Sequence, residues 1–163
     1  MKKKTLAKLK KDLDKIFSLY IRTKYAKNGV VKCYTCGKMG EIKKMQCGHF
    51  VSRQYLATRW DENNTRVQCW GCNGFGGGRL LDFEENLAGE IGKAKVEAIK
   101  MRRHNIVKLD SLWYNEHIQC YEEKLKKLRG NTTPLDEESR QQTSAWVCKK
   151  MSALRKRKIY HPV

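Results

Sequence analysis

Four cysteines form two pairs of identical spacing, Cys33-x2-Cys36 and Cys69-x2-Cys72. A turn of this length bends the backbone so that both thiolates of a pair reach one metal ion. Two pairs supply four thiolates, which close the tetrahedral shell of a structural zinc ion and leave no position open for a substrate. The spacing therefore predicts one structural Zn²⁺ held by all four cysteines. The alternative is two unrelated knuckles, or a plain zinc ribbon that only binds a partner.

A further cysteine and a histidine, Cys47 and His49, lie between the two pairs and are not needed for that zinc ion. Because side chains alternate along a strand, residues 47 and 49 face the same side, and Gly48 between them adds no bulk. We interpret Cys47 as a small buried apolar residue. His49 could also be an ordinary structural residue, and only its neighbours argue for chemistry.

Those neighbours are two asparagines next to the second cysteine pair. Asn64 lies five residues before Cys69, and Asn73 follows Cys72 directly. With the first cysteine pair in front, the order of His49, Asn64 and Asn73 resembles the HNH, or ββα-metal, nuclease motif. In that motif a hairpin followed by a helix holds one divalent ion.

A closer resemblance covers more of the chain. The stretches LDKIFSLYIRTKYAKNGVVKCYTCGK and CGHFVSRQYLATRWDENNTRVQCWGCN resemble the phage NinG, or Rap, family of recombination proteins. The likeness runs from residue 6 to residue 73 and, more weakly, to residue 130. It implies a zinc-stapled HNH endonuclease that cleaves branched DNA, especially four-way junctions, in phage recombination.

The resemblance also implies a role for each motif residue. His49 would be the general base that takes a proton from the attacking water, because a histidine near its free pKa can do so at neutral pH. Asn64 would brace the loop that carries the histidine, and Asn73 would bind a catalytic Mg²⁺ or Mn²⁺. Such an ion neutralises the scissile phosphate and the leaving oxygen.

One position departs from the motif. Many HNH sites have an aspartate directly before the catalytic histidine as a second metal ligand, and this chain has Gly48 there. Mg²⁺ usually takes a carboxylate together with waters and substrate phosphates. Asp82, Glu84 or Glu85, or the DNA phosphate itself, could fill the second position.

The charge balance points to a polyanionic partner. Lys and Arg number 35 against 17 Asp and Glu, which gives a net charge of +18, and nucleic acid is the partner that such an excess fits best. Arg53 and Arg59 could clamp phosphates beside the site or be ordinary solvated arginines. The basic residues after the linker are further candidates for DNA binding: Lys149, Lys150, Arg155, Lys156, Arg157 and Lys158.

Composition also bears on compartment. Seven cysteines are an odd number, which fits metal binding in a reducing compartment better than a disulfide framework. No apolar run is long enough to span a membrane, and the basic N-terminus lacks the apolar core of a signal peptide. With the phage resemblance, we expect the protein in the cytoplasm of an infected bacterial host.

The periodicity predicts an α+β fold that is mostly helical. A helix over residues 5–27 with Thr5 as N-cap precedes a strand in residues 30–38 that runs into the first cysteine pair, and a second strand over residues 41–51. Helices follow over residues 80–103, broken near Gly89 or Gly92, and over 110–129 with Asp110 as N-cap. The ββα-metal core, leading helix and later helices would form one domain of residues 1–130, and residues 131–163 a linker and basic tail. We expect Trp60, Trp70 and Phe75 in the core, with base stacking as the alternative.

Two functional hypotheses remain open at this stage. The first is a metal-dependent endonuclease for branched DNA, working as a homodimer because symmetric junction cleavage needs two sites, with the helices of residues 80–129 as the candidate interface. The second is a non-catalytic zinc module that binds DNA or RNA as an accessory protein. An HNH nuclease with a sequence-specific or nicking role is a weaker third.

Overall fold

A computed structural model describes residues 4–130 and combines helices with two small sheets, as the α+β prediction requires. The elements are, in chain order, α1 (Leu6–Lys24), β1 (Val30–Lys32), β2 (Met39–Glu41), β3 (Met45–His49), β4 (Thr65–Cys69), a π-helical turn (Gly71–Phe75), α2 (Leu80–Ile91), α3 (Lys93–Arg102) and α4 (Ser111–Gly130). Short 3₁₀ turns occupy Ile42–Lys44 and Glu62–Asn64. In this part of the chain, no helix has both the length and the apolar character needed to cross a bilayer.

Both sheets are antiparallel hairpins. Strand β1 pairs with β2, and β3 pairs with β4 so that His49 lies opposite Thr65 and Met45 opposite Cys69. The second strand is shorter than predicted, because the 3₁₀ turn Ile42–Lys44 separates β2 from β3. The β3–β4 hairpin leads directly into the π-helical turn and then α2, so two strands and a helical segment follow one another in the chain.

Helix α1 begins as predicted and forms the main core with α4. The hydroxyl oxygen of Thr5 accepts a hydrogen bond from the Lys8 amide at 3.3 Å, which caps the helix. The chain then turns through Asn28 and Gly29, which both have positive φ. Buried residues of α1 pack against buried residues of α4 and of the β3–β4 hairpin: Leu9, Leu13, Phe17, Tyr20, Ile21, Tyr114, Tyr121, Leu125, Met45 and Val67.

The later helices form a second packing layer. Gly92 separates the predicted segment into α2 and α3. Its φ of 88° is not helical, and a residue with a Cβ would adopt it only with strain, which explains the glycine at this position. The carboxylate of Asp110 accepts from the Trp113 amide at 2.8 Å and caps α4, as predicted. Phe50 and Val51, the two residues after β3, are enclosed by buried residues of α2 and α3. Those residues are Phe83, Leu87, Val96 and Ile99.

The aromatic residues divide differently from the prediction. Trp60 is 7% exposed, and its indole Nε1 donates to Asp14 of α1 at 3.0 Å. Trp70 and Phe75, by contrast, are 62% and 88% exposed, so the expectation that they belong to the core is wrong. Trp70 precedes the π-helical turn and Phe75 is its last residue, while the buried Cys72 takes the inward position of the turn. The rings of Trp70 and Phe75 stack on each other instead.

Candidate functional site

The four paired cysteines converge on one point between the β1–β2 hairpin and the end of β4. The Sγ atoms of Cys33, Cys36, Cys69 and Cys72 all lie within 4.8 Å of one another. A tetrahedral zinc ion with Zn–S bonds of about 2.3 Å needs sulfurs about 3.8 Å apart, and Cys36 and Cys69 are 3.8 Å apart. The cluster therefore fits a structural zinc ion, with no protein position left for catalysis.

The electrostatics of the cluster favour a cation at its centre. Burial opposes ionisation of Cys33, but hydrogen bonds from Thr35 and from backbone amides outweigh it and lower the pKa of Cys33. The Lys38 amide stabilises the Cys36 thiolate, but desolvation and the neighbouring sulfurs outweigh it and raise the pKa of Cys36. Four thiols this close cannot all ionise without a positive charge among them. A zinc ion supplies that charge and deprotonates coordinating thiols outright.

Cys47 lies outside the cluster. Its side chain packs against the core formed by α1 and α4, and burial raises the pKa of its thiol to about 12. A thiol this reluctant to ionise is a poor metal ligand or nucleophile. Its environment is that of a small apolar residue, which is the interpretation that the sequence favours.

Two of the three candidate catalytic residues, His49 and Asn73, line an open cleft. The cleft has a volume of about 730 Å³ and is lined by residues of α1, β3, the loop after β3, and the π-helical turn with the glycines behind it. His49 enters it from the end of β3, and Asn73 enters it from the π-helical turn. A π-helical turn is rare and often marks a functional site. Asn64 is fully buried behind the cleft.

A hydrogen bond to the backbone orients His49. Its Nε2 lies 3.0 Å from the carbonyl oxygen of Arg59. A carbonyl only accepts, so Nε2 carries the proton and the neutral ring keeps its lone pair on Nδ1. Burial lowers the pKa of His49 below the usual 6.5, an effect that the backbone groups of Arg59 and Cys47 partly oppose. The imidazole is therefore neutral at pH 7, as a base must be.

The carbonyl that holds His49 is itself held by an ion pair with α1. The Arg59 guanidinium donates Nε and Nη2 to the two carboxylate oxygens of Asp14 at 2.9 and 2.7 Å, and Nη1 to the carbonyl of Arg53. Arg59 is only 9% exposed. This corrects the suggestion that Arg59 clamps a phosphate, because its guanidinium is used inside the protein. Asp14 is a positioning residue that the sequence did not single out.

Asn64 closes the loop between β3 and β4. Its Oδ1 accepts from the Val51 amide at 2.7 Å, and its Nδ2 donates to the carbonyls of Val51 and Thr58 at 2.9 and 3.0 Å. The backbone of Asn64 also accepts from the Phe50 amide at 2.9 Å. One side chain thus ties the residues that follow His49 to the residues that precede β4.

Replacing Asn64 with alanine should lower the free energy of unfolding by about 3 kcal/mol, because buried backbone groups of Val51 and Thr58 lose their partner. Chemical denaturation measures the change. Asn63→Ala is the matched control, since Asn63 is exposed and should change stability by less than about 0.5 kcal/mol. Equal effects of the two substitutions would show that the Asn64 side chain does not brace the loop.

Asn73 is oriented by a neighbour on β3. Its Nδ2 donates to Oε1 of Gln46 at 2.6 Å, and both residues line the cleft. An amide nitrogen only donates hydrogen bonds, so the carbonyl oxygen Oδ1 is the atom that Asn73 can offer to a cation. A single amide oxygen suits a divalent ion that keeps its waters and takes further ligands from substrate phosphates.

The position before the histidine has no room for a carboxylate. A Cβ on Gly48 would lie 2.1 Å from Oε1 of Gln68, whose side chain is fully buried and donates to the Gly78 carbonyl at 2.7 Å. Gln68 thus fills the space that an aspartate would need. Oε1 of Gln68 is a buried acceptor without a hydrogen-bond partner in the described residues.

The three acidic residues considered as a second ligand lie elsewhere. Asp82 pairs with Arg79 at 2.7 Å, and Glu84 pairs with Lys100 at 2.6 Å. Neither they nor the exposed Glu85 lines the cleft. None of the three therefore reaches Asn73 in this structure, and their suggested role as a second ligand stays a prediction.

Two arginines give the cleft its charge. Arg53, a sequence candidate, is exposed and lines it, and so does Arg22 of α1, which the sequence did not suggest. Arg22 donates to the carbonyls of Ser18, Ile42 and Met45. Across residues 4–130, neither arginine forms an ion pair with a carboxylate.

The six basic candidates of the tail lie outside the described residues: Lys149, Lys150, Arg155, Lys156, Arg157 and Lys158. Their role in binding DNA remains a prediction from the sequence.

Comparison with known proteins identifies the family of the chain. No curated protein and no solved structure is significantly similar to it. The family model described as the bacteriophage lambda NinG protein matches residues 1–131. This match includes the cysteine cluster, the cleft and all four helices, and the chain therefore belongs to the NinG family.

Proposed function

We propose that the protein is a metal-dependent HNH-type endonuclease that cleaves branched DNA, four-way junctions above all. The observation that supports it most is that His49 and Asn73 line one cleft, where hydrogen bonds to Arg59 and to Gln46 orient their side chains. The order of strand, strand and helical turn that carries them supports the proposal, because the ββα-metal motif consists of a hairpin followed by a helix. A module that only bound DNA would not need a histidine oriented in this way.

In the proposed reaction, Nδ1 of His49 accepts a proton from the water that attacks the scissile phosphate. The Arg59 carbonyl keeps the ring in the tautomer that leaves Nδ1 free of a proton, and Asp14 holds Arg59 in place. When bound, a divalent cation such as Mg²⁺ or Mn²⁺, held by Oδ1 of Asn73, would neutralise charge on the phosphate and the leaving oxygen. The zinc ion would stabilise the fold and take no part in the chemistry.

The charge of the cleft supports a phosphate substrate. Arg22 and Arg53 face it without carboxylate partners in the described region, and the chain carries a net charge of +18. Positive residues in a cleft raise the local concentration of an anionic substrate. Symmetric cleavage of a four-way junction requires two sites, so we propose a homodimer, acting in the cytoplasm of the infected host.

The direct test compares a labelled four-way junction with a linear duplex of the same sequence, each with and without Mg²⁺ or Mn²⁺. The proposal predicts cleavage near the branch that requires the added ion and is absent or much slower on the duplex. Tight binding of the junction without any cleavage, in either metal, would instead favour the non-catalytic zinc module that binds DNA or RNA.

Affinity for DNA should fall steeply as salt rises. Each phosphate contact releases counterions and contributes about −0.9 to the slope of log affinity against log salt. Removing residues 141–163 takes away Lys149, Lys150, Arg155, Lys156, Arg157 and Lys158, and should weaken binding to junction and duplex alike and flatten that slope. Fluorescence anisotropy at several salt concentrations measures both quantities. An unchanged slope in the truncated protein would exclude the tail from the interface.

A further inference from the structure

Two aromatic side chains are exposed on the same turn that brings Asn73 into the cleft. Phe75 is 88% exposed and Trp70 is 62% exposed. Their ring centroids lie 6.3 Å apart with an angle of 29° between the ring planes. Large aromatic residues are usually buried, and an exposed pair on a defined element indicates a binding surface.

The turn holds this pair in a fixed position. Trp70 lies between the proposed zinc ligands Cys69 and Cys72, and a hydrogen bond of 2.8 Å from the Gly76 amide to the Gly71 carbonyl closes the turn. A Cβ on Gly74 would lie 3.2 Å from Nε1 of Trp70, so the glycine lets the indole lie against the backbone. The rings are presented on a built support and not on a free loop.

The surroundings suit a polyanion that carries flat rings. Residues 63–81 contain no aspartate or glutamate, and the neighbouring cleft contains Arg22 and Arg53. Nucleobases stack on aromatic side chains whatever their sequence, and each stacked base contributes about 1–3 kcal/mol. At a branch point, bases can leave the duplex stack, whereas the bases of a continuous duplex remain covered.

A second copy of the chain is a less suitable occupant. Even if each ring buried about 250 Å², the pair would fall short of the roughly 800 Å² per partner that a stable protein interface buries. The glycines that surround the rings, Gly71, Gly74, Gly76 and Gly77, add no side chains to such an interface.

We propose that Trp70 and Phe75 form a stacking platform for unpaired bases at the branch point of DNA. The proposal rests on the proposed function for its substrate. It adds a way for the protein to distinguish branched DNA from a continuous duplex. Asn73 lies only two residues before Phe75 in the same turn, so the platform and the cleft are adjacent in the chain. A base held on the platform places a phosphate of the branch within reach of the cleft, while a duplex without an unpaired base gains nothing from the rings.

Photo-crosslinking locates the contact. His49→Ala protein keeps the DNA intact, and 5-iodouracil replaces thymine at the branch of a junction with unpaired branch bases. We expect cross-links to Trp70 or Phe75, identified by mass spectrometry. Cross-links that map only to other residues would overturn the proposal.

Affinity measurements test the energy of the contact. Trp70→Ala and Phe75→Ala should each weaken binding to that junction by about 5- to 150-fold, leave duplex binding unchanged and retain zinc. Trp70→Phe should preserve most of the affinity. Met101→Ala is the matched control, since Met101 is 69% exposed on a different helix, and it should have no effect. Equal losses on junction and duplex would overturn the proposal.

Three further outcomes separate this proposal from the others. Junction cleavage by the parent protein, with unchanged junction affinity in both alanine variants, would overturn the platform and leave the nuclease standing. Cross-links at Trp70 or Phe75 without any metal-dependent cleavage would support the platform and refute the nuclease. A DNA-free dimer that becomes monomeric in the double alanine variant would assign the rings to a protein interface and overturn the platform.

Discussion

His49→Ala should cleave a four-way junction about 10²–10⁴-fold more slowly than the parent protein, which is the usual effect of removing a positioned acid–base group. The zinc content should stay unchanged, because His49 is not part of the cysteine cluster. The affinity for the junction should also stay unchanged, because His49 takes no part in the Arg59–Asp14 ion pair that holds the loop. Single-turnover cleavage with saturating protein measures the chemical step. Full cleavage by the variant would make His49 a structural residue.

Two further variants define what the loss means. His104→Ala is the matched control, since His104 is an exposed histidine that does not line the cleft, and its cleavage rate should equal that of the parent. Asn73→Ala should weaken the catalytic ion, so higher Mg²⁺ should partly restore cleavage. His49→Ala should not respond to added metal, because its defect is the missing base. Equal rescue of both variants would contradict these separate roles.

The same assignment sets the pH dependence. Only neutral His49 can accept a proton, and burial holds its pKa below 6.5. The cleavage rate should therefore rise with pH through an apparent pKa below 6.5 and be flat at neutral pH. Rates between about pH 5 and 8, where histidine titrates, show the profile. A midpoint of the pH–rate profile above pH 7 would contradict the assignment, since it would mean that a group other than neutral His49 accepts the proton.

The features that the sequence predicted correctly are those that depend on residues close together in the chain. A C-x2-C pair, a helix cap such as Thr5 and a helix break such as Gly92 act over a few residues, so each can be interpreted without knowing the fold. The resemblance to the HNH motif singles out His49, Asn64 and Asn73 as a set. The structure brings His49 and Asn73 into one cleft and buries Asn64 in the loop that follows His49.

Long-range partners account for what the sequence did not predict. Asp14 lies 45 positions before Arg59, on a helix rich in lysine, and nothing in its neighbourhood marks it as the residue that fixes the loop. Gln68 looks like any polar strand residue until its side chain is found in the space beside Gly48. The usual burial of large aromatic residues predicts a core position for Trp70, but the π-helical turn directs Cys72 inward and leaves Trp70 exposed.

Loss of the zinc ion should have the largest effect on stability. The hairpin β1–β2 has only three residues in each strand, and two short hairpins bury too little apolar surface to stand alone. Zinc binding contributes about 10–16 kcal/mol to folding in zinc-finger peptides at neutral pH. Removal of one ligand should therefore unfold the knuckles and the π-helical turn that carries Asn73.

The prediction is one zinc ion per folded chain, lost in Cys72→Ser. Elemental analysis of the reduced protein gives the stoichiometry, and denaturation with and without a chelator gives the change in stability. Cys47→Ser is the matched control, because Cys47 is a neighbouring cysteine outside the cluster and should keep the full zinc content. Cys72→Ser should lose metal, the cooperative unfolding transition and junction cleavage together, since the cluster holds the turn from which Asn73 enters the cleft. Retention of one zinc ion by Cys72→Ser, or its loss from Cys47→Ser, would show that a different set of ligands holds the metal.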